Sequence, residues 1–237
     1  MEKRVKVLTS LACAVAFALA MSTTSRAQNL LTDPGAENEI SAPNPNPTGI
    51  PGWAFFGGSG FLTTPVAHSG TNVVDMPGGT GGYSVPGAYQ VFAATAGQTF
   101  TLSGWVYTPN LLVSNSNDFA ILQLSFFTGA PPNNYAGGTQ ISATGVNIGT
   151  PIGPTDATVP LPQGVWTYAS VTVTAANVGL NHVNSVGAYL LNINADANAH
   201  FMFDDLTLTV VPEPSSLALV LSGLAGLVAF GWKKRHV

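Results

Sequence analysis

The feature that most restricts how this chain can fold is a recurrent two-residue alternation, cut into short runs by glycine and proline. No helical period competes with it. Thr99 to Tyr107 reads TFTLSGWVY, which sets Phe100, Leu102, Gly104 and Val106 on one face and Thr99, Thr101, Ser103, Trp105 and Tyr107 on the other. Phe119 to Phe127 offers Leu122, Leu124 and Phe126 as a core face. Trp166 to Thr174 alternates Thr167, Ala169, Val171 and Val173 with Tyr168, Ser170, Thr172 and Thr174. Val186 to Ile193 and His200 to Val211 add two more runs, with shorter ones at Trp53 to Phe56, Val73 to Met76 and Ala88 to Phe92. Turn chemistry such as Gly57-Gly58-Ser59-Gly60, Pro77-Gly78-Gly79 and Pro131-Pro132-Asn133-Asn134 separates them. Gly129 to Asp156 reads as a loop-rich region with one weak strand near Val146 to Ile148. About eight short strands in one domain predict an all-β fold, a β-sandwich of jelly-roll type. Spacing alone leaves an immunoglobulin-like strand order open.

Charge restricts the interior further. The net charge is −4, and all seven basic residues lie near the ends: Lys3, Arg4, Lys6, Arg26, Lys233, Lys234 and Arg235. Between Ala27 and Trp232 there is no lysine or arginine, while Asp33, Glu37, Glu39, Asp75, Asp118, Asp156, Asp196, Asp204, Asp205 and Glu213 remain. Phosphate-backbone binding needs basic side chains, so nucleic acid is excluded as a partner of the body. Any buried carboxylate must be satisfied by backbone N–H, hydroxyl, histidine, water or a metal, because unpaired burial is too costly.

The ends carry sorting information. Lys3, Arg4 and Lys6 precede an apolar run from Val7 to Met21, followed by Ser25-Arg26-Ala27. This is the three-part pattern of a secretory signal peptide, residues 1–27, handled by the Sec translocon and signal peptidase with cleavage before Gln28. Cys13 is the only cysteine and leaves with that segment, so the mature body must be held by an ordinary core rather than by disulfides. At the other end the uncharged stretch Ser215 to Trp232 spans about 27 Å as a helix, close to the hydrocarbon thickness of about 30 Å, and predicts a transmembrane segment. Lys233, Lys234 and Arg235 form its stop-transfer cluster, expected on the cytoplasmic side. Both ends then place residues 28–211 outside the membrane.

Pro212-Glu213-Pro214, the apolar span and the terminal basic cluster occur in that order, and the tail, residues 212–237, resembles the PEP-CTERM sorting domain. The resemblance implies export, processing by an exosortase with Pro212, Glu213 and Pro214 as the recognition element, and a place at the cell surface or in the extracellular matrix of a Gram-negative bacterium that makes exopolysaccharide.

The body carries a second resemblance. Asn29-Leu30-Leu31-Thr32-Asp33-Pro34-Gly35-Ala36-Glu37 opens it, Gly52-Trp53 follows, and Phe203-Asp204-Asp205-Leu206 closes it. Together with Trp166-Thr167-Tyr168, these resemble the galactose-binding-like jelly-roll carbohydrate-binding modules. The resemblance implies a structural calcium held by Glu37 and Asp204, with Asp205 the less favoured alternative to Asp204. Strict alternation along the last strand would place Met202, Asp204, Leu206 and Leu208 together facing the core, and would send Asp205 to the opposite face. The alternative is a sheet-edge pair satisfied by amides, hydroxyls or water.

Enzyme signatures are thin. His68, His182 and His200 show no metal spacing, and His68-Ser69 with Asp75 only imitates part of a catalytic triad. The expectation is a non-enzymatic surface or matrix protein, either binding a polysaccharide or serving a structural or adhesive role. A glycan platform needs aromatic faces beside polar groups. Trp105 and Tyr107, on the non-core face of their strand, and Trp53 are the candidates, with Tyr83, Tyr89 and Tyr168 behind them.

Overall fold

The computed structural model describes residues 28–44, 50–78, 85–110, 118–128, 139–149, 159–193 and 199–211. The signal segment, the Pro212–Pro214 motif, the span 215–232, the cluster Lys233 to Arg235 and Tyr83 lie outside them. Among the described residues no helix is long and apolar enough to cross a membrane.

The described strands are β1 (Ala54–Phe56), β2 (Gly60–Thr63), β3 (Asn72–Met76), β4 (Gly87–Ala93), β5 (Thr99–Tyr107), β6 (Phe119–Phe127), β7 (Gln140–Gly149), β8 (Val159–Pro160), β9 (Thr167–Thr174), β10 (Ser185–Ile193) and β11 (Phe201–Val211). They form two sheets, a six-stranded one in the order β1-β4-β10-β6-β7-β8 and a five-stranded one in the order β2-β3-β11-β5-β9. All neighbours are antiparallel except β7 and β8. The fold is an all-β sandwich of jelly-roll type.

Alternation explains the core. Phe100, Leu102 and Val106 of β5, Ala169 and Val171 of β9, and Val74 and Met76 of β3 point inward from one sheet. Leu122, Leu124 and Phe126 of β6 meet them from the other, with Val186, Ala188 and Leu190 of β10. Phe100 and Phe126 join the two layers with ring centroids 6.0 Å apart. The faces expected for β5, β6 and β9 are the faces observed. The region Gly129 to Asp156 differs from expectation: β7 runs unbroken from Gln140 to Gly149, paired along the length of β6. Its alternation is diluted by Gly145 and small polar residues, and the partner strand supplies the order that the segment's own pattern does not.

The last strand also departs from strict alternation. Asp204 pairs with Trp105 and Thr207 with Ser103, so Asp205 and Leu206 together oppose Gly104 in a β-bulge. Asp205 sits at φ 46°, the left-handed region that aspartate tolerates better than most residues. The extra residue reverses the facing of everything before it. Phe203 and Leu206 both reach the main core, and Asp204 lies on the outer side of the sheet. The inward placement expected for Asp204 is thereby corrected. Gly104 leaves room at this point: a Cβ there would stand 2.6 Å from Leu206 Cδ2 and 3.3 Å from the Asp204 carbonyl oxygen, and Leu206 would have to shift. The opening segment completes the bulge: Leu206 N–H donates to the Pro34 carbonyl at 3.0 Å, and Leu30 N–H donates to the Leu208 carbonyl at 2.8 Å.

Phe203 is fully buried. Truncation of Phe203 to alanine is expected to lower unfolding stability by about 3–5 kcal/mol, measured by denaturant titration.

Candidate functional site

The opening segment, the bulge and the β2–β3 connection meet on the outer side of the five-stranded sheet. Residues 33–39 turn tightly, with positive φ at Asp33, Ala36 and Glu39. Asp33 holds the turn, its carboxylate accepting from Asn38 N at 3.1 Å and Ile40 N at 3.1 Å. Glu37 projects from this turn to the start of β3, where Oε1 accepts from the N–H groups of Thr71 and Asn72, each at 2.9 Å. Gly70, at φ 61°, makes the approach feasible, since a Cβ there would lie 2.2 Å from Glu37 Oε1.

Asp204 is fully buried and is satisfied by backbone alone. Its Oδ2 accepts from Ser69 N at 3.0 Å and its Oδ1 from Asp205 N at 2.7 Å. Asp205 turns to the same connection: Ser69 Oγ donates to Oδ1 at 2.6 Å, and His68 Nδ1 lies 2.6 Å from Oδ2. The bulge therefore aims both carboxylates at one segment, whereas unbroken alternation would have sent them to opposite faces. Gly35 lies among all three acids, its Cβ position 3.7 Å from Asp204 Oδ1, 3.8 Å from Glu37 Cγ and 3.9 Å from Asp205 Oδ1.

The two outer carboxyls titrate in opposite senses. The N–H groups of Asn72 and Thr71 hold Glu37 below its ordinary 4.5. Burial pushes Asp204 above its ordinary 3.8, with repulsion from Asp205 adding to it and the Ser69 and Asp205 N–H groups opposing it. Glu37 thus stabilises the fold above its ordinary value, and that contribution is lost as pH falls through its folded value. Asp204 has the opposite sign: its contribution to stability is present at low pH, where it is protonated, and is lost as pH rises through its folded value.

The same connection organises a cluster of rings. His68 stacks on Trp105 at 4.2 Å and 18°, and meets Trp166 edge-on at 5.6 Å. Trp105 also contacts Tyr168 at 5.5 Å, and Tyr107 contacts Trp166 at 5.2 Å. Trp166 Nε1 donates to the Val66 carbonyl at 2.8 Å, fixing that indole to the connection. Tyr168 is the most open ring, 53% exposed. Residues 64–71 thus fasten the acidic cluster on one side and the aromatic cluster on the other.

The sequence candidates fall out unevenly. Trp105 and Tyr107 lie in the ring cluster, although His68 covers one face of Trp105. Trp53 does not belong to it: it is fully buried, with Nε1 donating to the Asp33 carbonyl at 3.0 Å. Its part is to brace the opening turn, and it has no face to offer a ligand. Tyr89 stacks on Tyr189 at 5.0 Å and 16°, in a separate cluster of the six-stranded sheet. The imitated triad is not assembled, for His68 pairs with Asp205 and Asp75 with His200, whose Nε2 lies 2.5 Å from Asp75 Oδ1. Among the described residues no group of three or more His, Cys, Asp or Glu forms a ready-made metal centre. His68, Ser69 and Trp166 were not singled out by sequence as partners of this site. His-Ser-Gly-Thr occurs once, at 68–71, and such a local run says nothing about long-range pairing.

Residues 210–235 match the PEP-CTERM protein-sorting motif. The chain carries an exosortase-type sorting signal. That motif marks an exported protein, anchored at its C-terminal end before exosortase cleavage. No curated protein sequence matches the chain. Among solved structures, a cyclase from Fischerella sp. TAU shares 16% identity over 79% of this chain and 98% of its own, with a TM-score of 0.50, a likeness of fold. Carbohydrate-binding modules are also similar. TmCBM61, solved with β-1,4-galactotriose, shares 14% identity over 76% of this chain and 97% of its own, at a TM-score of 0.41. The CBM22-1 xylan-binding domain of Paenibacillus barcinonensis Xyn10C shares 14% over 78% and 96%, at 0.41.

Two substitutions test the acidic cluster. Asp204→Asn must turn an amide N–H toward a backbone donor, and the expected loss is about 1–3 kcal/mol of stability at neutral pH. Glu37→Gln can keep Oε1 for the Thr71 and Asn72 N–H groups but replaces the Oε2 acceptor with an NH2 donor and removes the charge, so its smaller deficit is expected to shrink as pH falls below 4.5, in thermal melts across pH.

Proposed function

We propose that the exported domain binds an uncharged polysaccharide at the cell surface or in the matrix through the ring cluster of Trp105, Tyr107, Trp166 and Tyr168. The observation that carries this reading is the convergence of those four rings and His68 on one outer sheet face, beside exposed hydroxyls of β9. Aromatic faces take the C–H side of a sugar ring while neighbouring hydroxyls fix its orientation. Tyr168 presents the accessible ring, and Trp105 supports it from the adjacent strand. The acidic cluster beside the face disfavours polyanions. The resemblance to carbohydrate-binding modules and the export signal agree with this reading.

The acidic cluster is further proposed to hold a structural calcium. Glu37, Asp204 and Asp205 fit a hard cation by donor type, and Asp204 is a buried carboxylate that no lysine or arginine of the body can neutralise. The carboxylates keep lone pairs beyond the N–H and O–H bonds they accept. A bound cation would relieve the mutual repulsion of the three acids and tighten the turn that carries Glu37.

Polysaccharide pull-down and titration on the purified chain test the first proposal. Saturable binding is expected, reduced at least tenfold in Tyr168→Ala and in Trp105→Ala. Equal binding in the natural chain and both variants would overturn it. Calcium is expected to raise the melting temperature through linkage, and Asp204→Ala to abolish the rise. A melting temperature indifferent to calcium would remove the metal from the account.

A further inference from the structure

Among the described residues the two sheets leave four outer edges, three of them ending in short strands, although β8 pairs with only Ile148 and Gly149 of the glycine-containing β7. β1 has three residues, β8 has two and ends in Pro160, and β2 has four. Such brevity, with proline, is how folds keep edges from pairing with other chains. The fourth edge is different. β9 runs for eight residues as Thr-Tyr-Ala-Ser-Val-Thr-Val-Thr, without proline, glycine or charge. It pairs with β5 in unbroken register from Val106↔Thr167 to Thr99↔Thr174. Among the described residues no strand lies on its other side. Its outward residues Tyr168, Ser170, Thr172 and Thr174 are all exposed. Lysine, the commonest guard of such edges, is absent from the whole body.

We propose that the free edge of β9 is a homotypic assembly site, where a second copy of this chain adds its own β9 antiparallel across a two-fold axis. This goes beyond the glycan reading and does not rest on it. The strand is complementary to itself. With Val171 at the axis, Ser170 opposes Thr172 of the other copy, and Tyr168 opposes Thr174. Those rungs repeat the kind already present between β5 and β9, where Thr99 and Thr174 share a hydroxyl bond at 2.8 Å and Thr101 and Thr172 one at 2.9 Å. On the inner side, Ala169 would meet Val173 and Val171 would meet itself, extending an apolar row. Main-chain bonds supply the affinity in this mode, and the absence of like charges removes the usual barrier. The product would be a continuous ten-stranded sheet with the ring clusters of both copies on one face.

Sedimentation of the full chain in mild detergent tests this with two charged variants, Ser170→Lys with Thr172→Lys, and Ser170→Glu with Thr172→Glu. All samples carry the same apolar tail in the same detergent, so the tail cannot account for a difference between them. The natural chain is expected to associate, each charged variant to sediment as a monomer, and an equimolar mixture of the two to recover association. A natural chain that stays monomeric at its highest soluble concentration overturns the proposal. So do charged variants that associate as the natural chain does, or a mixture that stays monomeric. If the charged variants fail to fold, Ser170→Cys and Thr172→Cys chains are mixed under oxidation. A disulfide preferentially between the two types supports the pairing, and its absence from an associating sample overturns it.

Discussion

Asp204 is a fully buried carboxylate in a body with neither lysine nor arginine, and the neighbouring structure is arranged around that constraint. In most proteins a cationic side chain would answer such a charge. Here the answer is backbone. The bulge at Asp205 turns its own N–H to one oxygen, and the β2–β3 connection brings the Ser69 N–H to the other. Each device then has a second consequence. The bulge releases the Leu206 N–H to the opening segment, which carries Glu37 to the start of β3. The connection, once fastened, lays His68 over Trp105 and brings the Val66 carbonyl to the Trp166 Nε1–H. An electrostatic requirement at one residue thus sets where the rings stand.

The fold was legible because burial imposes a period of two. The runs at Thr99 to Tyr107 and Phe119 to Phe127 coincide with β5 and β6, and their inward faces were assigned correctly. β7 was mostly hidden, because its alternation is weak and its order comes from β6 rather than from its own residues. β2 was absent from the expectation because Gly60 to Thr63 is too short to show a pattern. The facing of Asp204 was misread for a different reason. Two adjacent aspartates reveal nothing about which of them takes the left-handed backbone that slips the register, and one such residue reverses a whole half-strand.

The candidate site divides along the same line. Residues fixed by local alternation, Trp105 and Tyr107, were identifiable. Residues fixed by tertiary contact were not: His68 lies 137 positions from Asp205, and Trp166 lies 100 from Val66. Trp53 illustrates the converse. A tryptophan after a glycine-rich turn reads equally as a platform or as core, and its buried bond to the Asp33 carbonyl makes it core. The two proposals place recognition and assembly on one sheet. Among the described residues the β5–β9 ladder that displays the rings ends in a long unguarded edge, so under both proposals a chain exported to a surface layer would present a binding face and a joining edge together.

The central claim is that the carboxylates of Asp204 and Asp205 hold residues 64–71 in place and thereby build the ring cluster. Residue-resolved amide hydrogen exchange on the full chain in detergent, natural and Asp205→Ala, tests it most directly. The account predicts a protected Ser69 amide in the natural chain, and faster exchange in the variant spreading from Ser69 toward Val66 while β5 and β9 keep their protection. A Ser69 amide that exchanges as freely in the natural chain as an open loop, or an unchanged pattern in the variant, would contradict it.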